Sequence, residues 1–120
     1  MELNSTEPVF LNSLGSAYFR EGDFEKAEFY FKRAIEVGPY YTWGFSNLGL
    51  IYLRQEKYDL AEKYLREALK IKEENTDALN WLAIVYYNRG EYEKAKECLE
   101  KSLEINPDQP KTKERLKELQ

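Results

Sequence analysis

The 120-residue sequence predicts an all-α fold, a right-handed superhelix of antiparallel helix pairs, and three observations carry the expectation. Residue types recur every 34 positions: Leu14, Leu48, Leu82 and Leu116; Tyr18, Tyr52 and Tyr86; the aromatics Phe24, Tyr58 and Tyr92; the alanines Ala27, Ala61 and Ala95. Inside one period the apolar residues fall at helical spacing in two runs, Leu11-Leu14-Gly15-Tyr18 and Phe24-Ala27-Phe31-Ala34-Ile35. Small residues also keep their places, with Gly15, Gly49 and Ala83 in one series and Ala34, Ala68 and Ser102 in another.

Each element then has local reasons for its ends. In the first unit a turn at Arg20-Glu21-Gly22-Asp23 separates the helices, and Asp23 is placed to cap the second. Gly38-Pro39 stops that helix and Asn106-Pro107 stops its counterpart in the third unit, because proline lacks the amide hydrogen and clashes with the preceding turn. The second unit has Lys72-Glu73-Glu74-Asn75 instead, so its end rests on Asn75 and Thr76 capping the next helix. Glycine inside a helix costs about 1 kcal/mol against alanine, so Gly15 and Gly49 imply close approach between paired helices. Residues 110–120 continue the register through Leu116, with Lys111, Lys113, Arg115 and Lys117 keeping the outside polar. They read either as a capping helix or as the start of a fourth unit.

Composition narrows the chemistry. With no histidine and one cysteine, Cys98, a disulfide framework, a zinc finger and a histidine-dependent triad are all unavailable within one chain. Cys98 stands where the other units have Tyr30 and Tyr64, and reads as a partly packed thiol. Glu73, Glu74 and Asp77 lack the glycine turn and alternating oxygen ligands of a calcium loop. No metal or cofactor is expected. A net charge of −4 and a pI near 5.0 leave no general field for phosphates, which argues against nucleic acid. The acidic start and the lack of a long apolar run argue against membrane insertion, so a cytoplasmic protein is the expectation. Glu28 with Lys32, Glu62 with Arg66, Lys96 with Glu100 and Glu97 with Lys101 are four-apart pairs that support helices by a few tenths of a kcal/mol each.

The positions Leu11, Leu14, Gly15, Tyr18, Ala27, Phe31 and Pro39, then Phe45, Leu48, Gly49, Tyr52, Ala61 and Leu65, then Leu79, Leu82, Ala83, Tyr86, Ala95, Leu99 and Pro107, resemble the tetratricopeptide repeat. Three units follow, 8–41, 42–75 and 76–109, within a single domain spanning 1–120. Departures are that Leu or Phe stands where Trp is typical, Ala83 replaces the glycine and Glu73 the proline.

The resemblance implies a non-enzymatic protein-interaction scaffold whose concave face, made by the first helix of each pair, receives a peptide segment or partner helix. Helical spacing puts Asn12, Phe19 and Arg20 on that face in the first unit, Trp43, Asn47, Leu50, Leu53 and Arg54 in the second, and Asn80, Trp81, Ile84, Tyr87 and Asn88 in the third. The lining is apolar, and Arg20, Arg54 and Asn88 hold equivalent places that could take a carboxylate. Trp43 reads as an exposed anchor site. Repeats that grip the acidic C-termini of heat-shock chaperones use a clamp of Lys, Asn, Asn, Lys and Arg; here those places hold Asn12, Ser16, Asn47, Asp77 and Trp81, and only Asn47 fits. The alternative readings are self-assembly by end-to-end stacking through Val9, Phe10 and the last helix, giving a homo-oligomer, or a regulatory segment of a larger protein.

Overall fold

The computed structural model describes residues 7–120, and among them seven helices and no strand are present. They are α1 (Glu7–Arg20), α2 (Phe24–Val37), α3 (Thr42–Arg54), α4 (Tyr58–Ile71), α5 (Thr76–Asn88), α6 (Tyr92–Ile105) and α7 (Pro110–Leu119). The expected stops hold: Asp23 Oδ1 accepts from the Lys26 amide at 3.2 Å, Asn75 Oδ1 accepts from the Ala78 amide at 3.0 Å, and Gly38 and Asn106 close α2 and α6.

Helices pack first within pairs α1–α2, α3–α4 and α5–α6, then each pair on the next, and the result is an elongated helical-repeat superhelix of 52 × 26 × 22 Å. The small-residue series explains the pairing distance. A Cβ on Gly15 would lie 2.5 Å from the Phe31 ring, and one on Gly49 2.5 Å from Leu65, so the facing helix occupies the space a side chain would need. Ala27, Leu48, Ile51, Ala61, Leu65, Ala68, Val85 and Ala95 are fully enclosed, and these belong to one continuous core running through all three pairs.

Polar contacts stitch successive pairs together. The Tyr52 hydroxyl of α3 donates to Glu28 of α2 at 2.7 Å, and 34 residues later the Tyr86 hydroxyl of α5 donates to Glu62 of α4 at 3.0 Å. Thr42 donates to the Ala68 carbonyl at 2.7 Å and accepts from Asn75 at 3.0 Å, which ties the start of α3 to the end of α4. At the last junction the Gln109 amide donates to the carbonyls of Ser102 at 3.0 Å and Asn106 at 2.8 Å, adding to the Asn106 amide that donates to Ser102 at 2.9 Å. Leu116 and Leu119 turn inward onto the core, so α7 covers the third pair.

Candidate functional site

The first helices α1, α3 and α5 meet along one side, and their inner faces carry the groove residues. Two cavities adjoin there. A pocket of about 210 Å³ is lined by Ser16, Phe19, Arg20, Phe31, Asn47, Leu50 and Trp81. A larger one of about 440 Å³ is lined by residues that include Leu50, Leu53, Arg54, Trp81, Ile84, Asn88 and Arg115. Leu50 and Trp81 border both, so Trp81 of the third unit reaches a hollow shared with α1. The arginines are placed at the rims: Arg20 and Arg54 are exposed, and the Arg54 guanidinium lies 5.8 Å from the Phe19 ring centre.

Of the thirteen groove residues expected from sequence, nine line these two cavities: Phe19, Arg20, Asn47, Leu50, Leu53, Arg54, Trp81, Ile84 and Asn88. The other four border neither of these two. Asn12 is 9% exposed and its side-chain oxygen accepts from Asn47 at 3.0 Å, so that oxygen is spent between α1 and α3. Asn80 donates to Gln109 at 2.8 Å and helps fix the connection to α7. Tyr87, half exposed, borders a third hollow of about 250 Å³ that shares Ile84 and Arg115 with the larger inner one, its ring edge-on to Tyr92. Trp43 corrects the expectation of a freely exposed anchor. It is half-buried near the start of α3, borders neither inner cavity, and its ring is covered by the Lys72 ammonium at 5.6 Å.

Sequence reasoning also missed Arg115, which it placed on the polar outside; the side chain borders the larger inner cavity. The signal was present, because 115 lies one period beyond Trp81 and two beyond Asn47. A second omission is the network around Glu62. Burial tends to raise this carboxyl, but donors from Arg89 at 2.6 Å, Tyr86 and Arg66 outweigh that and bring it from its ordinary 4.5 down to about 2. Arg89 also reaches Asp59 at 2.9 Å and Glu91. These groups join α4 to α5 away from the inner face. Among the described residues no group of three acidic or sulfur side chains is arranged to hold a metal, and no helix is long and apolar enough to cross a membrane.

Comparison with known proteins agrees with this architecture. Sequence profiles described as tetratricopeptide repeat match residues 8–41 and 52–116, and the chain belongs to the tetratricopeptide repeat family. Among solved structures it is similar to the first such domain of Spaghetti (RPAP3) bound to the HSP90 peptide SRMEEVD, at 22% identity and a TM-score of 0.92, covering 97% of this chain and 94% of that one. The first domain of human RPAP3 gives 0.91 at 22% identity, covering 97% and 91%, and the domain of Arabidopsis OM64 gives 0.89 at 18%, covering 94% and 93%. These likenesses establish the fold. No curated protein sequence matches the chain.

Proposed function

We propose that this protein is a non-enzymatic interaction scaffold that holds a peptide segment of a partner along its inner face, with an apolar anchor residue at Leu50 and Trp81. The observation that carries the reading is the meeting of the 210 Å³ and 440 Å³ hollows at those two side chains. An extended segment crossing the face would place successive side chains in the two hollows, while Arg20, Arg54 and Arg115 around the rims supply donors to its carbonyls or carboxylates. Phe19, Ile84, Leu53, Asn47 and Asn88 complete the surface. Asn12, Asn80 and Tyr87 support it from behind or beside, and Trp43 lies apart from it.

The relative solved with SRMEEVD supports a peptide as the kind of ligand. The ligand here is expected to differ from that acidic segment, since the chaperone-clamp places hold Ser16, Asp77 and Trp81, and Asn12 is already bonded to Asn47. End-to-end self-assembly finds less support: Val9 and Phe10 are exposed on α1, but α7 turns Leu116 and Leu119 inward and presents a polar outer side.

The test is selection of random twelve-residue peptides on the immobilised protein, repeated on Trp81→Ala and Arg54→Glu variants whose helical content and melting are checked first. Peptides retained by the wild type and lost by both folded variants are expected. Selected peptides that bind the variants equally well would move the site elsewhere.

A further inference from the structure

A second opening lies on the opposite side, between α4 and α6, where a hollow of about 630 Å³ is floored by Leu69, Leu79, Leu82, Tyr86 and Cys98. The period of the chain says what belongs there. At the place of Cys98 the first two units carry tyrosines, and each packs against the tyrosine of its own first helix: Tyr30 stacks on Tyr18 with ring centres 5.5 Å apart and 6° between planes, and Tyr64 lies tilted on Tyr52 at 5.5 Å and 31°. Tyr64 also approaches Phe45 at 6.4 Å. In the third unit the equivalents of Tyr52 and Phe45 are Tyr86 and Leu79, both bordering the hollow, while the side chain that should cover them has shrunk to a thiol. Among the described residues no ring stacks on Tyr86; the cations of Arg89 and Lys94 each lie 5.6 Å from its ring centre, and its hydroxyl is bonded to Arg66 and Glu62.

The geometry points to a docking site in which an aromatic side chain of a partner segment seats over Cys98 and supplies, from outside, the ring that the first two units supply themselves. The apolar floor matches a phenyl or phenol ring. The rim alternates in sign, with Lys63, Arg66, Lys70 and Lys101 among Glu67, Glu73 and Glu97, and so offers partners to the polar backbone on either side of that ring. Burial, together with Glu97, pushes the Cys98 thiol up to about 11, so it stays protonated at neutral pH and forms an uncharged floor. This site is independent of the inner face and survives if that assignment fails.

The test uses the whole chain and two small probes, N-acetyl-tyrosinamide and N-acetyl-leucinamide, titrated while backbone amide shifts are followed by NMR. The tyrosine probe is expected to give saturable shifts confined to α4, α5 and α6, and the leucine probe shifts several-fold weaker. Cys98→Ala, which leaves the hollow open, is expected to keep the response. Cys98→Tyr, which restores the internal ring, is expected to abolish it and to raise the melting temperature by roughly 3–8 °C. Shifts that persist in Cys98→Tyr, a probe response equal for leucine, or a lowered melting temperature in Cys98→Tyr with Cys98→Ala unchanged would each overturn the assignment.

Discussion

Glu56 has a left-handed backbone with φ of 59°, and it is the only non-glycine residue among those described that does. The equivalent turns of the first and third units carry Gly22 at 84° and Gly90 at 78°. A residue with a Cβ spends about 1–2 kcal/mol there, whereas glycine adopts it freely and loses part of the advantage to greater freedom when unfolded. Glu56→Gly is therefore expected to stabilise the protein by about 1 kcal/mol, read as a higher urea midpoint at unchanged slope; a lower midpoint would show that the side chain is holding the turn. Leu48 gives the opposite case. It is fully enclosed, and Leu48→Ala is expected to cost about 2–5 kcal/mol, while a loss below about 0.5 kcal/mol would contradict its place in the core. Both effects follow from spacing alone, since Gly22, Glu56 and Gly90 stand one period apart, as do Leu14, Leu48 and Leu82. What spacing could not give is how a polar side chain is used. Asn12 and Asn80 face the expected side, yet their amides bond to Asn47 and Gln109, partners 35 and 29 residues away.

At the level of helices, the four-apart pairs were legible and two of them form as read, Glu28 with Lys32 at 3.0 Å and Glu62 with Arg66 at 2.8 Å. Their larger role was hidden, because the same carboxylates receive tyrosine hydroxyls from the following pair, 24 residues on. Each therefore links two units as well as two turns of one helix. The consequence is a pH dependence with a fixed sign. Glu62 has its folded value depressed to about 2, so the stability it contributes is full above its ordinary 4.5 and is lost as pH falls from there toward 2. Glu28 is lowered in the same direction: burial tends to raise it, and Tyr52 and Lys32 more than reverse that. Unfolding free energy measured by urea between pH 5 and pH 2 is expected to fall more steeply for the wild type than for Glu62→Gln. Equal slopes would mean that the carboxylate is not charged and bonded in the folded chain.

Over the whole molecule, each pair rests mainly on its neighbours, and the chain of contacts runs in one dimension from α1 to α7. The repeat made this architecture readable, because a pair too small to bury its own apolar face must stack. It did not reveal the hollows, which arise where the period is broken: Trp81 and Arg115 lie in the register of Asn47, and Cys98 lies in the register of Tyr30 and Tyr64. The one-dimensional contact pattern has its own test at α7. Removing residues 109–120 takes away the Gln109 bonds to Ser102 and Asn106 and the cover that Leu116 and Leu119 give the third pair. Local opening should then spread from that end. Amide hydrogen exchange in the shortened chain is expected to quicken most in α5 and α6, less in α3 and α4, and least in α1 and α2. An equal loss of protection in all six helices would instead show that the three pairs open as one block, with the coupling through Tyr52–Glu28 and Tyr86–Glu62 stronger than the stability of any single pair.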